Sequence, residues 1–188
     1  FLTTGYSKIA GYETAQGGFE WYGRTPPHEG LTAYGLIQLH DMQKIYKGVN
    51  PKLIQRVQKW LISRKDGNGG FKQNVGKYGF SGSKPAVFNA YIIWALASVG
   101  EKNIVAELNA ITKEALKSED WYRMALATLA QFEYGNQQTG EELLSNLLLI
   151  IKKQGFKNIK TETTLTYSSG NAANIETLSF VTLALLKS

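Results

Sequence analysis

Apolar residues recur at i, i+3, i+4 and i+7 along most of the chain, the spacing of helices rather than strands. Four stretches are apolar nearly all round: residues 28–42, 87–99, 121–134 and 175–187. Such helices have no water-facing side, so each is predicted to be buried on most sides. Three others carry a charged face and an apolar stripe: residues 51–64, 102–117 and 141–154. In the first of these the stripe is Leu53, Val57, Trp60 and Leu61. These helices are predicted to lie with one side in water, and residues up to about Ala10 form a further candidate helix.

Punctuation supports the same division. Asn50-Pro51 and Lys84-Pro85 place proline at a first helical turn, where its missing N–H costs nothing. Gly48, Gly100, Gly135 and Gly155 follow predicted helix ends, where a left-handed residue is wanted. The turns Gly17-Gly18-Phe19 and Gly69-Gly70-Phe71 are alike, and each precedes a loop and then a buried helix. Outer helix, glycine–aromatic loop and inner helix therefore alternate, without a fixed period. The fold class expected is all-α: an incomplete α/α toroid of helical hairpins, or an α-solenoid, which periodicity alone does not separate. Residues 1–188 are expected to form a single helical domain. Short strands are conceivable only near 71–80 and 163–167.

Composition narrows the chemistry. The 188 residues are 43% hydrophobic and 12% aromatic, enough for a sizeable core and unlike a disordered chain. No apolar run reaches the roughly 18 residues of a membrane span, so no membrane insertion is expected. There is no cysteine, which excludes disulfides, cysteine–zinc sites and a thiol nucleophile within these residues. The formal charge of +6 is carried by dispersed lysines and arginines, densest at Lys152, Lys153, Lys157 and Lys160. No basic stripe with stacking aromatics is visible, so no nucleic-acid partner is expected. The chain opens at Phe1 without a signal peptide and closes inside an apolar run at Leu185-Leu186-Lys187-Ser188, which reads as a piece of a longer protein.

The most chemically loaded stretch is Glu20-Trp21-Tyr22-Gly23-Arg24, followed by Thr25-Pro26-Pro27-His28-Glu29. It puts two carboxylates, an arginine, a histidine and two aromatics on a loop entering a buried helix. General acid–base work needs two such groups across a cleft. The simpler reading is a loop pinned by aromatic burial, with Glu29 favourably placed in a first turn. His28 and His40 are too far apart along a helix to share a metal, so no metal and no cofactor are expected. His40 sits near a helix C-terminus, which suits its charge. Asp66-Gly67-Asn68-Gly69-Gly70-Phe71 places glycines where a calcium loop needs oxygen ligands, and reads as a tight turn. Trp21, Trp60, Trp94, Trp121, Tyr34 and Tyr91 are either core or the lining of an apolar pocket.

Several blocks, in order, resemble the thioester-containing domain of the alpha-macroglobulin and complement family. They are Phe1-Leu2-Thr3-Thr4-Gly5-Tyr6, Gly17-Gly18-Phe19-Glu20-Trp21-Tyr22-Gly23 and His28-Glu29-Gly30-Leu31-Thr32-Ala33-Tyr34-Gly35-Leu36. Trp60-Leu61-Ile62, the turn at Asp66–Phe71, Asn89-Ala90-Tyr91, Met124-Ala125-Leu126-Ala127 and Glu176-Thr177-Leu178-Ser179-Phe180-Val181 are similar to its later helices. The resemblance covers essentially the whole chain. It implies the later two-thirds of a toroid of helical hairpins. It also implies a protease-inhibiting or covalent target-trapping protein, extracellular, on the cell surface or periplasmic, whose partners are proteases or surface targets and the neighbouring domains of the same chain.

The family's Cys-Gly-Glu-Gln thioester motif has no counterpart here and would lie upstream of Phe1. In some relatives a histidine in the loop after the second Gly–Phe turn speeds transfer to hydroxyls. Residues 72–81 contain no histidine, and the matching position falls near Gly79. Amine transfer is therefore the implied preference. The candidate thioester environment or binding loop is Glu20, Trp21, Tyr22, Arg24, His28, Glu29, Tyr78 and Gly79, with no catalytic residue among them. Two alternatives share the pattern. An α/α-toroid enzyme of the terpene cyclase or prenyltransferase type would need an acid-rich motif or cysteine-containing zinc ligands. An α-solenoid scaffold would need an exposed binding groove.

Overall fold

A computed structural model of the chain describes residues 1–74 and 84–188. Among these there are eight α-helices and no strands. Backbone contacts divide the chain into two compact units, Phe1–Lys77 and Tyr78–Ser188.

The N-terminal unit holds α1 (Leu2–Ala10), α2 (Glu29–Ile45) and α3 (Pro51–Ser63). Helix α2 is the buried one, with Ala33, Leu36 and Leu39 inaccessible to solvent. Helix α3 is amphipathic as its sequence requires: Leu53, Ile54, Val57 and Leu61 are buried and Lys52, Arg56 and Lys59 exposed. Pro51 opens it behind the Asn50 cap, whose Oδ1 accepts from Lys52 N at 2.9 Å. The aromatic ring of Tyr6 on α1 meets that of Tyr46 in the α2–α3 connection, with centroids 5.9 Å apart.

The C-terminal unit packs α4 (Pro85–Ser98), α5 (Val105–Leu116), α7 (Gln137–Gln154) and α8 (Gly170–Lys187) against α6 (Trp121–Tyr134). Eleven of the fourteen residues of α6 are buried. Each large apolar side chain so enclosed contributes about 1.5–3 kcal/mol, which makes this helix the centre of the unit's core. Its polar residues are all satisfied: Thr128 donates to Met124 O at 2.8 Å, and Gln131 donates to Thr112 Oγ1 at 2.6 Å while accepting from Asn136.

The structure corrects the sequence reading in three places. Gly100, Gly135 and Gly155 do have positive φ, but Gly48 does not. Helix α2 ends instead at an extended Tyr46, and a side chain at Gly48 would run into the Tyr46 ring. Helix α8 was expected to be buried on most sides. Only Thr177, Val181 and Ala184 are, while Ile175, Leu183, Leu185 and Leu186 are exposed. Finally, 163–167 is no strand. Its groups bond locally and to α6 and α8, with Leu165 N donating to Tyr122 Oη at 3.2 Å, Thr166 Oγ1 to Glu176 Oε2 at 2.7 Å and Ser168 N to Thr164 Oγ1 at 3.0 Å. Phe71 forms a single antiparallel bridge with Lys65, and the rest of the other candidate strand, from residue 75 on, lies outside the described residues.

Candidate functional site

Two turns in the N-terminal unit share one construction. Glu13 pairs with Phe19 and Lys65 with Phe71 as isolated antiparallel bridges. Thr14 N donates to Gly18 O at 2.8 Å, as Asp66 N does to Gly70 O at 3.0 Å. Glu20 N donates to Tyr12 O, as Lys72 N does to Arg64 O. Gly17 and Gly69 hold φ of +91° and +88°, a region that favours glycine. Phe19 and Phe71 are both buried. Asp66 Oδ1 accepts from Asn68 N and Gly70 N at 2.7 and 3.0 Å, so its carboxylate closes the turn on itself. That is the tight turn read from the sequence.

The first turn delivers the chain into the segment 20–29, and here the structure divides the candidate residues into two groups. The tip is exposed: Trp21, Tyr22 and Arg24 reach solvent, Tyr22 at 69% of its full area. Glu20 shapes it, its Oε2 accepting from Tyr22 N at 2.8 Å and Arg24 N at 3.1 Å. The base is buried. His28 N donates to Phe19 O at 2.8 Å, and His28 caps α2 by accepting from Leu31 N at Nδ1, 3.3 Å away. Burial pushes its imidazole below the ordinary range, with the Glu29 and Glu20 charges pulling weakly the other way. The capping geometry needs that neutral ring, because a protonated Nδ1 cannot accept.

Glu29 is fully buried and wholly committed. Its Oε1 accepts from Arg64 Nε at 2.8 Å and its Oε2 from Asn74 N at 2.9 Å. Asn74 completes the ring of contacts, accepting from the Arg64 guanidinium at 3.0 Å and donating to Pro27 O at 2.8 Å. A buried carboxylate so paired anchors two loops rather than moving a proton. Arg64 and Asn74 do not stand out in the sequence, and Thr32 does so only as part of the family-like block at residues 28–36. Thr32 Oγ1 donates to His28 O at 2.7 Å and accepts from Phe19 N at 2.8 Å, tying the turn to the helix. The only sequence signal for Arg64 is its place: it occupies in the second turn the position Tyr12 occupies in the first.

Tyr78 and Gly79 lie outside the described residues. Among the described residues no cluster of His, Asp or Glu could hold a metal ion, and no helix is long and apolar enough to cross a membrane. His40 lies within α2 with Nδ1 at 3.1 Å from Gln43 Nε2. Of the six aromatics considered as pocket lining, Trp121 and Tyr91 are core, and Trp60 and Trp94 are half-buried. Trp21 and Tyr34 do face a cleft, of about 290 Å³, beside α2. The basic excess of the chain falls entirely in the N-terminal unit, with eleven Lys and Arg against five Asp and Glu; the other unit has ten of each.

Alternating buried and amphipathic helices joined by glycine–aromatic turns are the elements of an all-α, helical-hairpin architecture. Comparison with solved structures places the fold in the α/α-toroid class. The native conformation of the alpha-2-macroglobulin of Escherichia coli matches over 98% of this chain with a TM-score of 0.66 at 15% identity. A crystal structure of the part of that native protein reaching its C-terminus matches over 97%, with a TM-score of 0.66 at 16% identity. This chain spans 12% and 30% of those two chains. No curated protein matches its sequence. The family model described as the A-macroglobulin TED domain matches residues 1–188, and the chain belongs to that family.

Proposed function

We propose that these residues are the scaffold of a covalent target-trapping module in an alpha-macroglobulin-like endopeptidase inhibitor, with no catalysis of their own. The observation that carries this reading is the family match over the whole chain, joined to the state of its most reactive-looking groups. His28 is spent on a helix cap and Glu29 on an ion pair, so neither is poised to transfer a proton to a substrate. With no cysteine, the acylating group of a thioester comes from outside these residues. The 188 residues act as one helical domain, the later two-thirds of the toroid, in a protein that is extracellular, on the cell surface or periplasmic. Its partners are proteases or surface targets, together with the neighbouring domains of its own chain.

On this reading Glu20, Trp21, Tyr22, Arg24, His28 and Glu29 belong to the surroundings of the thioester; Tyr78 and Gly79, candidates with them by sequence, lie outside the described residues. With no histidine in residues 72–81, nothing there assists transfer to hydroxyls, so amines are the preferred acceptors. Mass spectrometry of the full-length protein tests this after incubation with methylamine or with glycerol. A methylamine adduct without a glycerol ester is expected. Efficient glycerol ester formation overturns the amine preference, and the absence of any adduct overturns the thioester reading.

A further inference from the structure

The cleft beside α2 has an unusual lining. Tyr12, Phe19, Trp21 and Tyr34 supply aromatic walls, with Glu20 and Gln38 as its polar groups. Among the described residues Glu20 is the one charged residue in its lining, although the unit as a whole is basic. As whole residues Tyr12, Trp21 and Tyr34 remain 46%, 37% and 47% exposed. Glu20 Oε2 takes both loop amides, and Oε1 makes no hydrogen bond among the described residues. Aromatic faces carry negative potential and attract a cation that has shed part of its water. A carboxylate at the same wall adds a charged partner for it.

We propose that this cleft receives the ammonium group of a lysine side chain from a protein partner. The aromatic walls cover the butyl stem and face the charge, and Glu20 Oε1 accepts from the ammonium. An aliphatic occupant would gain nothing from Glu20 and would shield its Oε1 from water without supplying a donor. The site is built from the N-terminal unit and shares Glu20 and Trp21 with the proposed thioester surroundings. The contact is non-covalent and is tested on residues that hold no cysteine, so its failure is distinguishable from a failure of the covalent reading.

The test compares two probes that differ only at the side-chain end, Nα-acetyl-lysine methylamide and Nα-acetyl-norleucine methylamide. Binding to the 188-residue chain is followed by NMR at the Trp21 indole N–H. The lysine probe is expected to bind at least about five-fold more tightly, consistent with cation–π and carboxylate contacts at a half-exposed site. Glu20→Gln is expected to weaken the lysine probe about three-fold and leave the norleucine probe unchanged. Because Glu20 also shapes its loop, Tyr34→Leu on the rigid helix α2 provides a second arm: it keeps apolar volume and removes a ring face. It should weaken only the lysine probe. Equal or tighter binding of norleucine marks an apolar docking groove and overturns the proposal. So does a failure of both probes to bind, or indifference of the lysine probe to both substitutions.

Discussion

The two Gly–Phe turns of the N-terminal unit are the same backbone device with opposite outcomes. Bridge, glycine conformation and buried phenylalanine coincide. Among their differences is the side chain just before each turn. At the second turn Arg64 reaches Glu29 and Asn74 and lies over the Trp60 ring, 5.6 Å from its centroid, so the space is closed by an ion pair and a cation–π contact. At the first turn the equivalent residue is Tyr12, which lines an open cleft. The residue at this position therefore marks the closed turn from the one that offers a surface. The comparison also explains why the exposed tip at Trp21 and Tyr22 stays in place: its base is held from the other turn.

Removing that hold is the strongest way to break the comparison. Glu29→Ala leaves Arg64 Nε and Asn74 N without their shared acceptor in a part-buried site. Breaking a buried pair of this kind costs about 3–5 kcal/mol, to be read from urea unfolding followed by circular dichroism. The charge-free pair Glu29→Met with Arg64→Leu should lose much less than the two single changes together.

Gly18→Ala comes next. A Cβ there would stand 2.7 Å from both Pro27 Cβ and the Trp60 ring, so overpacking should cost about 1–3 kcal/mol in the same assay. Asp66→Ala should cost about 1 kcal/mol, because it takes the acceptor from the Asn68 and Gly70 amides that hold the turn.

The smallest effect concerns pH. The folded state holds His28 neutral, below its ordinary pKa of about 6.5. The unfolded chain therefore binds the proton more readily, and the contribution is present above that value and declines as pH falls through it. His28→Asn keeps an oxygen to cap α2 and carries no titrating group. Its stability should vary less between pH 7 and pH 5 than that of the parent chain, measured by urea midpoints across that range.

Helix positions were legible wherever caps stand in the sequence. Helix α6 runs Trp121–Tyr134 as its pattern indicates, because Asp120 caps one end and Gly135 at φ +100° closes the other. The start of α7 at Gln137 and that of α8 at Gly170 were not legible, since their first turns are polar and glycine-containing and show no apolar period. The exposed face of α8 escaped notice for a related reason: an apolar pattern states which residues avoid water and not which ones find a neighbour. Within the site, Glu20, Trp21, Tyr22, Arg24, His28 and Glu29 stood out by residue type. Their division into tip and base did not, because it depends on Arg64 and Asn74, which are 35 and 45 residues from Glu29 and meet it only after packing. The likeness of the two turns was visible, but the consequence of Tyr12 against Arg64 was not.

The central claim is that this scaffold serves a trap rather than an active site. The most direct measurement incubates the full-length protein with an endopeptidase and then follows cleavage of a large protein substrate and of a small chromogenic peptide. A trap predicts that cleavage of the large substrate is blocked while the small peptide is still cut. Equal inhibition of both, or of neither, contradicts it.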